Sequence, residues 1–189
     1  MAVSLETERL LLREWRQGDV EELARIYADE RVHRFLGGPI DREATERQVG
    51  RFVRDWEQRG YGHWVAEHRE SGRMIGRVGL MHHPDWTASE DKVEVGWTLD
   101  PTSWGKGLAT EGARASLRYG FEVLKLPRII SFTLPDNVAS RRVMEKCGLT
   151  FRGTTPWRGL EHVWYALEAP SIPVMGSDPV RSGTPAAAR

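Results

Sequence analysis

The spacing of apolar residues changes along the chain, from a helical period before residue 60 to an alternating period after it. A short apolar run at 9–15 predicts a first strand. Asp19, with Glu22 three residues later, predicts the N-cap and capping box of a first helix. A second helical periodicity predicts a helix from about Asp41 to about Arg59, which Gly60 ends.

The alternating part of the chain predicts strands at 63–68, 74–81 and 93–99. Ser71-Gly72 supplies a turn between the first two, which therefore form a hairpin. A helix separates the third strand from a further strand at 128–134. The sequence therefore predicts that these last two strands are parallel, because such a crossover joins parallel neighbours.

A short helix that Asn137 opens and Gly148 closes, and a last strand at 161–167, complete the pattern. The order of elements predicts an α+β fold, with a mixed, mostly antiparallel, twisted sheet flanked by helices. We assign residues 1–168 to one domain. Residues 169–189 are rich in Pro, Gly and Ala and are predicted to form a mobile C-terminal tail.

The composition argues against several classes of site. The 27 basic and 27 acidic side chains give a formal net charge of zero, so no overall basic field draws the chain to nucleic acid or anionic membranes. The single cysteine, Cys147, excludes an intramolecular disulfide and a multi-cysteine zinc site. Because the chain lacks a signal-peptide core and a bilayer-spanning apolar run, we expect a cytoplasmic protein with no nucleic-acid or membrane partner.

The histidines do not predict a metal site either. No metal-ligand spacing relates them, and no paired cysteine or carboxylate supports them. We interpret four of them as surface or loop residues: His63, His68, His82 and His83.

The candidate chemistry lies between the 93–99 strand and the helix after it, in the segment Trp104-Gly105-Lys106-Gly107-Leu108-Ala109-Thr110. Two glycines two residues apart let the backbone approach a ligand closely. The start of the following helix directs free N–H groups to the same place, which suits a phosphate group. The spacing does not match a P-loop, and in a dinucleotide fingerprint the third glycine would fall on Thr110.

A second motif lies one strand further along the chain. Asn137-Val138-Ala139-Ser140 opens a helix that Glu145-Lys146-Cys147-Gly148-Leu149 closes. With the glycine turn and the opening Thr7-Glu8-Arg9-Leu10-Leu11-Leu12-Arg13, this order resembles the GNAT acetyltransferase family. Within that family it is most similar to the RimJ/RimL-like branch of ribosomal-protein N-terminal acetyltransferases. The resemblance spans roughly residues 5–168.

The resemblance implies that acetyl-coenzyme A (acetyl-CoA) is the donor and that a primary amine is the acceptor. On the spacing of the histidines, we expect no metal. The backbone of the glycine turn would hold the pyrophosphate, and the preceding strand would lie beside the pantetheine arm. The family pattern Q/R-x-x-G-x-G/A is matched from Gly107 to Ala109, whereas Trp104 replaces its polar first residue. The implied coenzyme-binding residues are Trp97, Thr98, Leu99, Trp104, Gly105, Lys106, Gly107, Leu108, Ala109, Thr110, Asn137 and Ser140.

Glu94 and Ser140 are the predicted catalytic side chains. Glu94 interrupts the apolar alternation of its strand and so faces the opposite side of the sheet. A partly desolvated carboxylate there suits a general base that takes a proton from the amine. The resemblance implies that a backbone N–H near Trp97 stabilises the oxyanion. Met144 stands where many members have a general-acid tyrosine, and Ser140 approaches the coenzyme sulfur in the RimJ/RimL-like branch.

The acceptor stays open at the level of sequence. A protein N-terminus fits the most similar branch, and a small molecule such as an amino sugar, an antibiotic or a polyamine is the alternative. Trp15, Trp56 and Trp86 are the candidates to line its site. A domain of a different class, which binds acyl-CoA without turnover and regulates a partner, would retain the same turn. The sequence allows either a monomer or a homodimer.

Overall fold

The computed structural model describes residues 3–169, in which eight strands form one sheet flanked by five helices. The strands are β1 (Leu5–Glu6), β2 (Leu10–Arg13), β3 (His63–His68), β4 (Arg73–His82), β5 (Val93–Leu99), β6 (Arg128–Thr133), β7 (Thr150–Trp157) and β8 (Leu160–Glu168). The helices are α1 (Asp19–Tyr27), α2 (Glu30–His33), α3 (Arg42–Arg59), α4 (Leu108–Arg118) and α5 (Val138–Lys146). Of the tail expected at 169–189, everything from residue 170 onward lies outside the described residues.

The strand order is β1-β2-β3-β4-β5-β6-β8-β7. Every neighbouring pair is antiparallel except β5 and β6, which are parallel. The predicted α+β fold with a mixed, mostly antiparallel sheet is therefore confirmed, as is the parallel pair around the crossover helix. The predicted hairpin is β3 and β4, and Gly72 in its turn has a φ of 65°.

Two predictions near the ends of the chain were incomplete. The last part of the sequence contains two strands, because β7 pairs with β8 at the edge of the sheet. The strand β7 has no clear apolar alternation, because one of its faces is exposed and because it contains Gly153 and Pro156. An edge strand tolerates both residues, but they do not predict a strand from sequence. The short helix α2 was also missed.

Asp19 does not cap the first helix as predicted. Gly18 occupies the N-cap position with a φ of 100°, and no side chain caps it. The Asp19 carboxylate instead accepts hydrogen bonds from the Arg13 guanidinium at 2.8 and 3.0 Å, and Arg13 also contacts Glu67 at 2.6 Å. The buried arginine of β2 needs these anions, because an unpaired buried charge is costly.

Helices cover the two faces of the sheet differently. On one face α4 packs on the apolar residues of β2, β4 and β5, including Val78 and Val95. On the other face α1 and α3 pack over β3 and β4, including Val65 and Met81. Each fully buried side chain of this size contributes about 1.5–3 kcal/mol. Val95 faces α4, so its neighbour Glu94 faces the other side of the sheet, as predicted. The helices α1 and α3 on that side pack on β3 and β4 and do not cover β5.

Asp100 joins the end of β5 to α1. Its carboxylate accepts hydrogen bonds from Arg25 at 2.7 Å and from the Thr102 amide and hydroxyl at 2.9 and 2.7 Å. Burial works to raise the pKa of Asp100, but these hydrogen bonds outweigh it and lower the pKa to about 2. The carboxylate therefore stabilises the fold in its ionised form.

Replacing Asp100 by Asn is expected to lower the free energy of unfolding by about 2 kcal/mol at neutral pH. Because the folded pKa lies below the unfolded one, the wild-type contribution is complete above about pH 4 and disappears as the pH falls toward 2. Urea unfolding at several pH values measures this. Glu22→Gln, which removes the exposed partner of the same Arg25, is the control and should cost less than about 0.5 kcal/mol. Equal losses in both variants would contradict the assignment.

Candidate active site

A cavity of about 870 Å³ opens along β5, lined by Glu94 from one face of the sheet and by the starts of α4 and α5 from the other. Most of the predicted site residues line it. These are Glu94, Trp97, Thr98, Leu99, Trp104, Gly105, Gly107, Leu108, Ala109, Thr110, Asn137 and Ser140. The structure thus brings the two motifs and the candidate base together, although they are far apart in sequence. Lys106 does not line the cavity, and its side chain is exposed.

The cavity exists because β5 separates from β6. The antiparallel neighbour β4 pairs with β5 along its whole length, from Val93 to Leu99. In the described part of the chain, β6 pairs with β5 only between Glu94 and Ile130. Beyond Glu94, the edge of β5 that faces β6 is therefore outside the ladder. Such an open edge can form hydrogen bonds with amides of a ligand.

The glycine turn has the backbone that its sequence predicts. Gly105 and Gly107 have φ values of 74° and 80°, a left-handed conformation that glycine adopts without strain. Gly107 is the N-cap of α4, and no side chain within residues 3–169 accepts a hydrogen bond from the first amides of that helix. Those N–H groups, together with the helix dipole, favour an anion in the turn.

Arg9 and Glu111 hold the turn against the sheet. The Arg9 guanidinium donates to the Lys106 carbonyl at 2.8 Å and contacts the Glu111 carboxylate at 2.6 Å. Glu111 also accepts hydrogen bonds from the Thr7 hydroxyl and the Arg9 amide. Burial works to raise the pKa of Glu111, but these partners lower it below the ordinary value. The opening Thr7–Arg13 motif therefore positions the turn.

The start of α5 forms the wall of the cavity next to the turn. Asn137 caps this helix, because its side-chain oxygen accepts from the Ser140 amide at 3.1 Å. Its side-chain nitrogen donates to the Thr133 hydroxyl at 3.0 Å, which fixes the orientation of the amide. Ser140 and Met144 both line the cavity.

Glu94 has a partner that the sequence analysis missed. Its carboxylate lies 2.7 Å from Nε2 of His83, and the two side chains are 12% and 5% exposed. The His83 ring contacts Phe132 and Trp157 edge to face, so packing fixes its position. His63 is buried in β3, so its interpretation as a surface or loop residue was wrong. His83 does lie in the loop after β4, but it is buried there. The register of β4 on β5 pairs Met81 with Glu94, and this puts His83 within reach.

Gly96 leaves room for the Glu94 carboxylate. A Cβ atom at Gly96 would lie 3.3 Å from Oε1 of Glu94, which is closer than most side chains tolerate. Glycine at this position therefore lets the carboxylate lie over the strand and into the cavity. The imidazole of His83 and the bare backbone of Gly96 together define where the candidate base points.

The three tryptophans expected around the acceptor do not line this cavity. Trp86 is fully buried and stacks on Phe132 with the ring centres 4.5 Å apart. Trp56 packs against other aromatic rings of the α4-side core. Trp15 donates its indole N–H to the His63 carbonyl at 2.8 Å. Each has a structural role, and Trp157 lines the cavity instead.

Other chemistry finds little support. Burial raises the pKa of the Cys147 thiol to about 11, although Arg114 opposes the shift, and this disfavours a nucleophilic thiolate.

Within residues 3–169 there is no group of three potential metal ligands from His, Cys, Asp and Glu. No helix of the described part of the chain is long and apolar enough to cross a membrane.

A family model described as an acetyltransferase (GNAT) domain matches residues 9–150. The chain belongs to the GNAT acetyltransferase family. Relatives of the chain include the N-acetyltransferase YnaD of Bacillus subtilis, 30% identical over 147 residues, which cover 78% of this chain and 82% of YnaD. YkkB of the same organism is 32% identical over 156 residues, which cover 79% of this chain and 87% of YkkB.

Solved GNAT structures have the same fold. The acetyltransferase from Agrobacterium tumefaciens superposes with a TM-score of 0.80 at 30% identity, over 89% of this chain and 95% of that one. The ribosomal-protein-S5-alanine acetyltransferase from Vibrio fischeri superposes with a TM-score of 0.70 at 19% identity, over 88% of this chain and 97% of that one. The second likeness supports the GNAT fold alone. Membership of the GNAT family makes this chain an N-acetyltransferase. Enzymes of this family use acetyl-CoA as co-substrate.

Proposed function

We propose that the protein transfers the acetyl group of acetyl-CoA to a primary amine by direct attack in a ternary complex. One observation supports this above all: a single cavity contains both a left-handed glycine turn with unsatisfied helix amides and a carboxylate held by His83. The first suits a diphosphate and the second suits a proton acceptor. A site that only bound acyl-CoA would not need the carboxylate.

The residues present fit the coenzyme. The amides around Gly105 and Gly107 would hold the pyrophosphate, and the open edge of β5 from Trp97 to Leu99 would pair with the pantetheine amides. The buried Thr98 hydroxyl lines the cavity and has no hydrogen-bond partner within the described residues, so a ligand can satisfy it. Asn137 and Ser140 lie on the neighbouring wall.

The proposed reaction uses two side chains and one backbone group. Glu94 takes a proton from the ammonium group, and the amine nitrogen then forms a bond to the thioester carbonyl carbon. The Trp97 N–H stabilises the oxyanion, and the carbon–sulfur bond breaks while the Ser140 hydroxyl donates a hydrogen bond to the departing sulfur. The second proton lost by the nitrogen passes to that sulfur, so the products are the amide and the thiol of coenzyme A. His83 orients Glu94 and does not touch the reacting atoms. The cavity provides no tyrosine at the Met144 position.

We place the chain in the RimJ/RimL-like branch on its Thr7–Arg13 opening and its α5 motif, and a protein N-terminus is one acceptor class this suggests. A small amine is the other. The FsC-acetyl coenzyme A-N(2)-transacetylase of Aspergillus fumigatus is 35% identical over 133 residues, which cover 60% of this chain and 56% of that protein. Its name refers to an N(2) position rather than to a protein terminus.

Release of coenzyme A with a panel of peptides and small amines tests the proposed function. We expect turnover with at least one class of primary amine, and mass spectrometry should find one acetyl group on its nitrogen. Tertiary amines of the same size are the matched controls and should give no product. Tight binding of acetyl-CoA with no turnover for any amine would contradict the proposal and favour a regulatory acyl-CoA-binding domain.

A further inference from the structure

Four arginines line the cavity: Arg51, Arg77, Arg142 and Arg158. The two least exposed, Arg77 and Arg51, form no ion pair with an acidic residue within the described part of the chain. Arg77 of β4 is only 8% exposed. Its Nε donates to the Tyr27 hydroxyl at 2.5 Å and one Nη contacts Nδ1 of His63 at 2.8 Å. Burial, followed by Arg77 itself, holds the pKa of His63 well below its ordinary value. An imidazole is neutral or cationic, so His63 gives Arg77 a hydrogen bond but no counter-charge. Among the described residues, no carboxylate forms an ion pair with Arg77.

Arg51 of α3 lies on the same side of the cavity. One Nη contacts the thioether sulfur of Met81, which is a weak acceptor, and the buried Nε has no hydrogen-bond partner within residues 3–169. Burial lowers the pKa of Arg51, and Arg158 and Arg77 act in the same direction, whereas Asp55 opposes them. The Arg51 guanidinium is thus partly desolvated, and the nearby carboxylates of Asp55 and Asp85 do not offset the effect of burial on its pKa.

The remaining charges of the cavity do not neutralise these two arginines. Arg158 also lines it, but the Asp85 carboxylate contacts Arg158 at 2.8 and 3.1 Å. Glu94 is the acidic residue that lines the cavity, and His83 contacts its carboxylate. By contrast, the buried Arg13 elsewhere in the fold has two carboxylates. Buried charges are normally paired, so the cavity lacks an anion that a ligand can supply.

The register of the sheet relates these arginines to the candidate base. Arg77 lies opposite Thr98, and Met81, which Arg51 contacts, lies opposite Glu94. Between these two pairs lies Gly96, which lines the cavity and has no side chain to fill it. Four residues of strand span roughly 13 Å. An anion beside Arg51 and Arg77 is therefore within the length of a small molecule from Glu94.

We infer that the acceptor is a small amine that also bears a carboxylate, which Arg51 and Arg77 bind while the amine faces Glu94. The inference rests on the proposed function and names the substrate class of that site. Each guanidinium keeps an N–H group for a carboxylate oxygen: the unpartnered Nε of Arg51 and the second Nη of Arg77. A phosphate dianion fits less well, because Arg77 already uses Nε and one Nη and because Glu94 in the same cavity repels a second negative charge. A peptide N-terminus has an amide carbonyl where such a molecule has its carboxylate.

Matched acceptors test this inference. α- and ω-amino acids of increasing length are compared with their carboxamides and with the corresponding aminoalkylphosphonates. In the wild type we expect kcat/KM for the preferred amino acid to exceed that of its carboxamide by at least about 30-fold, as removal of one partner of a buried ion pair does. Arg51→Gln should reduce this ratio to less than about threefold. Arg54→Gln, an exposed arginine on the same helix, should leave the ratio unchanged.

Calorimetry in the presence of coenzyme A gives a second measurement that needs no turnover. The amino acid should bind more tightly than its carboxamide to the wild type and to Arg54→Gln, and equally weakly to Arg51→Gln. Equal use of carboxylate and carboxamide, preference for the phosphonate, or a preference that survives Arg51→Gln would overturn the inference while leaving the acetyltransferase function in place. Failure of the function itself would appear separately, as amino acid binding without acetylation of any amine.

Discussion

Replacing Glu94 by Gln is expected to lower kcat by about 10²-fold or more while changing the dissociation constant for coenzyme A by less than about twofold. The amide keeps the size of the side chain and can still contact His83, which lies 2.7 Å from the carboxylate. It cannot take a proton from an ammonium group at neutral pH. The coenzyme contacts proposed for the glycine turn and for the edge of β5 do not involve this side chain.

Two companion variants make the Glu94 measurement specific. Glu90→Gln removes an exposed carboxylate from the loop between β4 and β5 and should leave kcat unchanged. His83→Gln removes the imidazole that orients Glu94, so we expect a smaller fall in kcat with the coenzyme dissociation constant preserved. Calorimetry gives the affinities, and steady-state release of coenzyme A gives the rates. A Glu94→Gln enzyme that keeps the wild-type kcat at neutral pH would exclude Glu94 as the base.

The sequence predicted those elements whose signals are local. The helix α3 has an N-cap at Asp41, whose carboxylate accepts from the Ala44 amide, and a left-handed C-cap at Gly60. Both are features that neighbouring residues determine by themselves. The glycine turn is local in the same way, because the left-handed φ values of Gly105 and Gly107 follow from the chain's need to turn into α4.

The features that the sequence did not predict depend on contacts between distant segments. Asp19 is a residue type that often caps helices, but its carboxylate forms an ion pair with the buried Arg13 of the neighbouring strand instead. Residues 150–157 form the strand β7 through backbone pairing with β8, which lies next to them in the sheet. Intrinsic preferences yield to tertiary contacts in both cases.

The candidate site shows the same division between local and distant information. The alternation of Val93, Glu94 and Val95 predicts that Glu94 faces away from the α4-side core. Its contact with His83 depends on the register between two strands joined by a long loop, and hydrophobic alternation within one strand carries no information about that register. The three tryptophans named as acceptor candidates lie outside the cavity, because aromatic residues fill cores as well as pockets and composition does not distinguish the two.

Replacing Gly107 by Val is expected to weaken coenzyme A binding by at least about 10²-fold. The reason is backbone strain rather than crowding, since a Cβ at Gly107 would meet nothing closer than an Arg9 nitrogen at 3.6 Å. A β-branched residue at a φ of 80° costs about 1–3 kcal/mol, so the turn leaves the left-handed conformation. The amides at the start of α4 then lose their common direction, and the pyrophosphate loses several donors at once.

Gly72→Val separates this effect from a general loss of stability. Gly72 has a similar φ of 65° and open space around it, but it lies in the β3–β4 hairpin turn and does not line the cavity. Both variants should therefore lose comparable free energy of unfolding in urea, and only Gly107→Val should lose affinity for coenzyme A in calorimetry. If a folded Gly107→Val protein bound coenzyme A within threefold of the wild type, the turn would not be the phosphate site. The proposed position of the thioester beside Glu94 would then lose its basis, because the diphosphate site at the turn determines where the acetyl group lies.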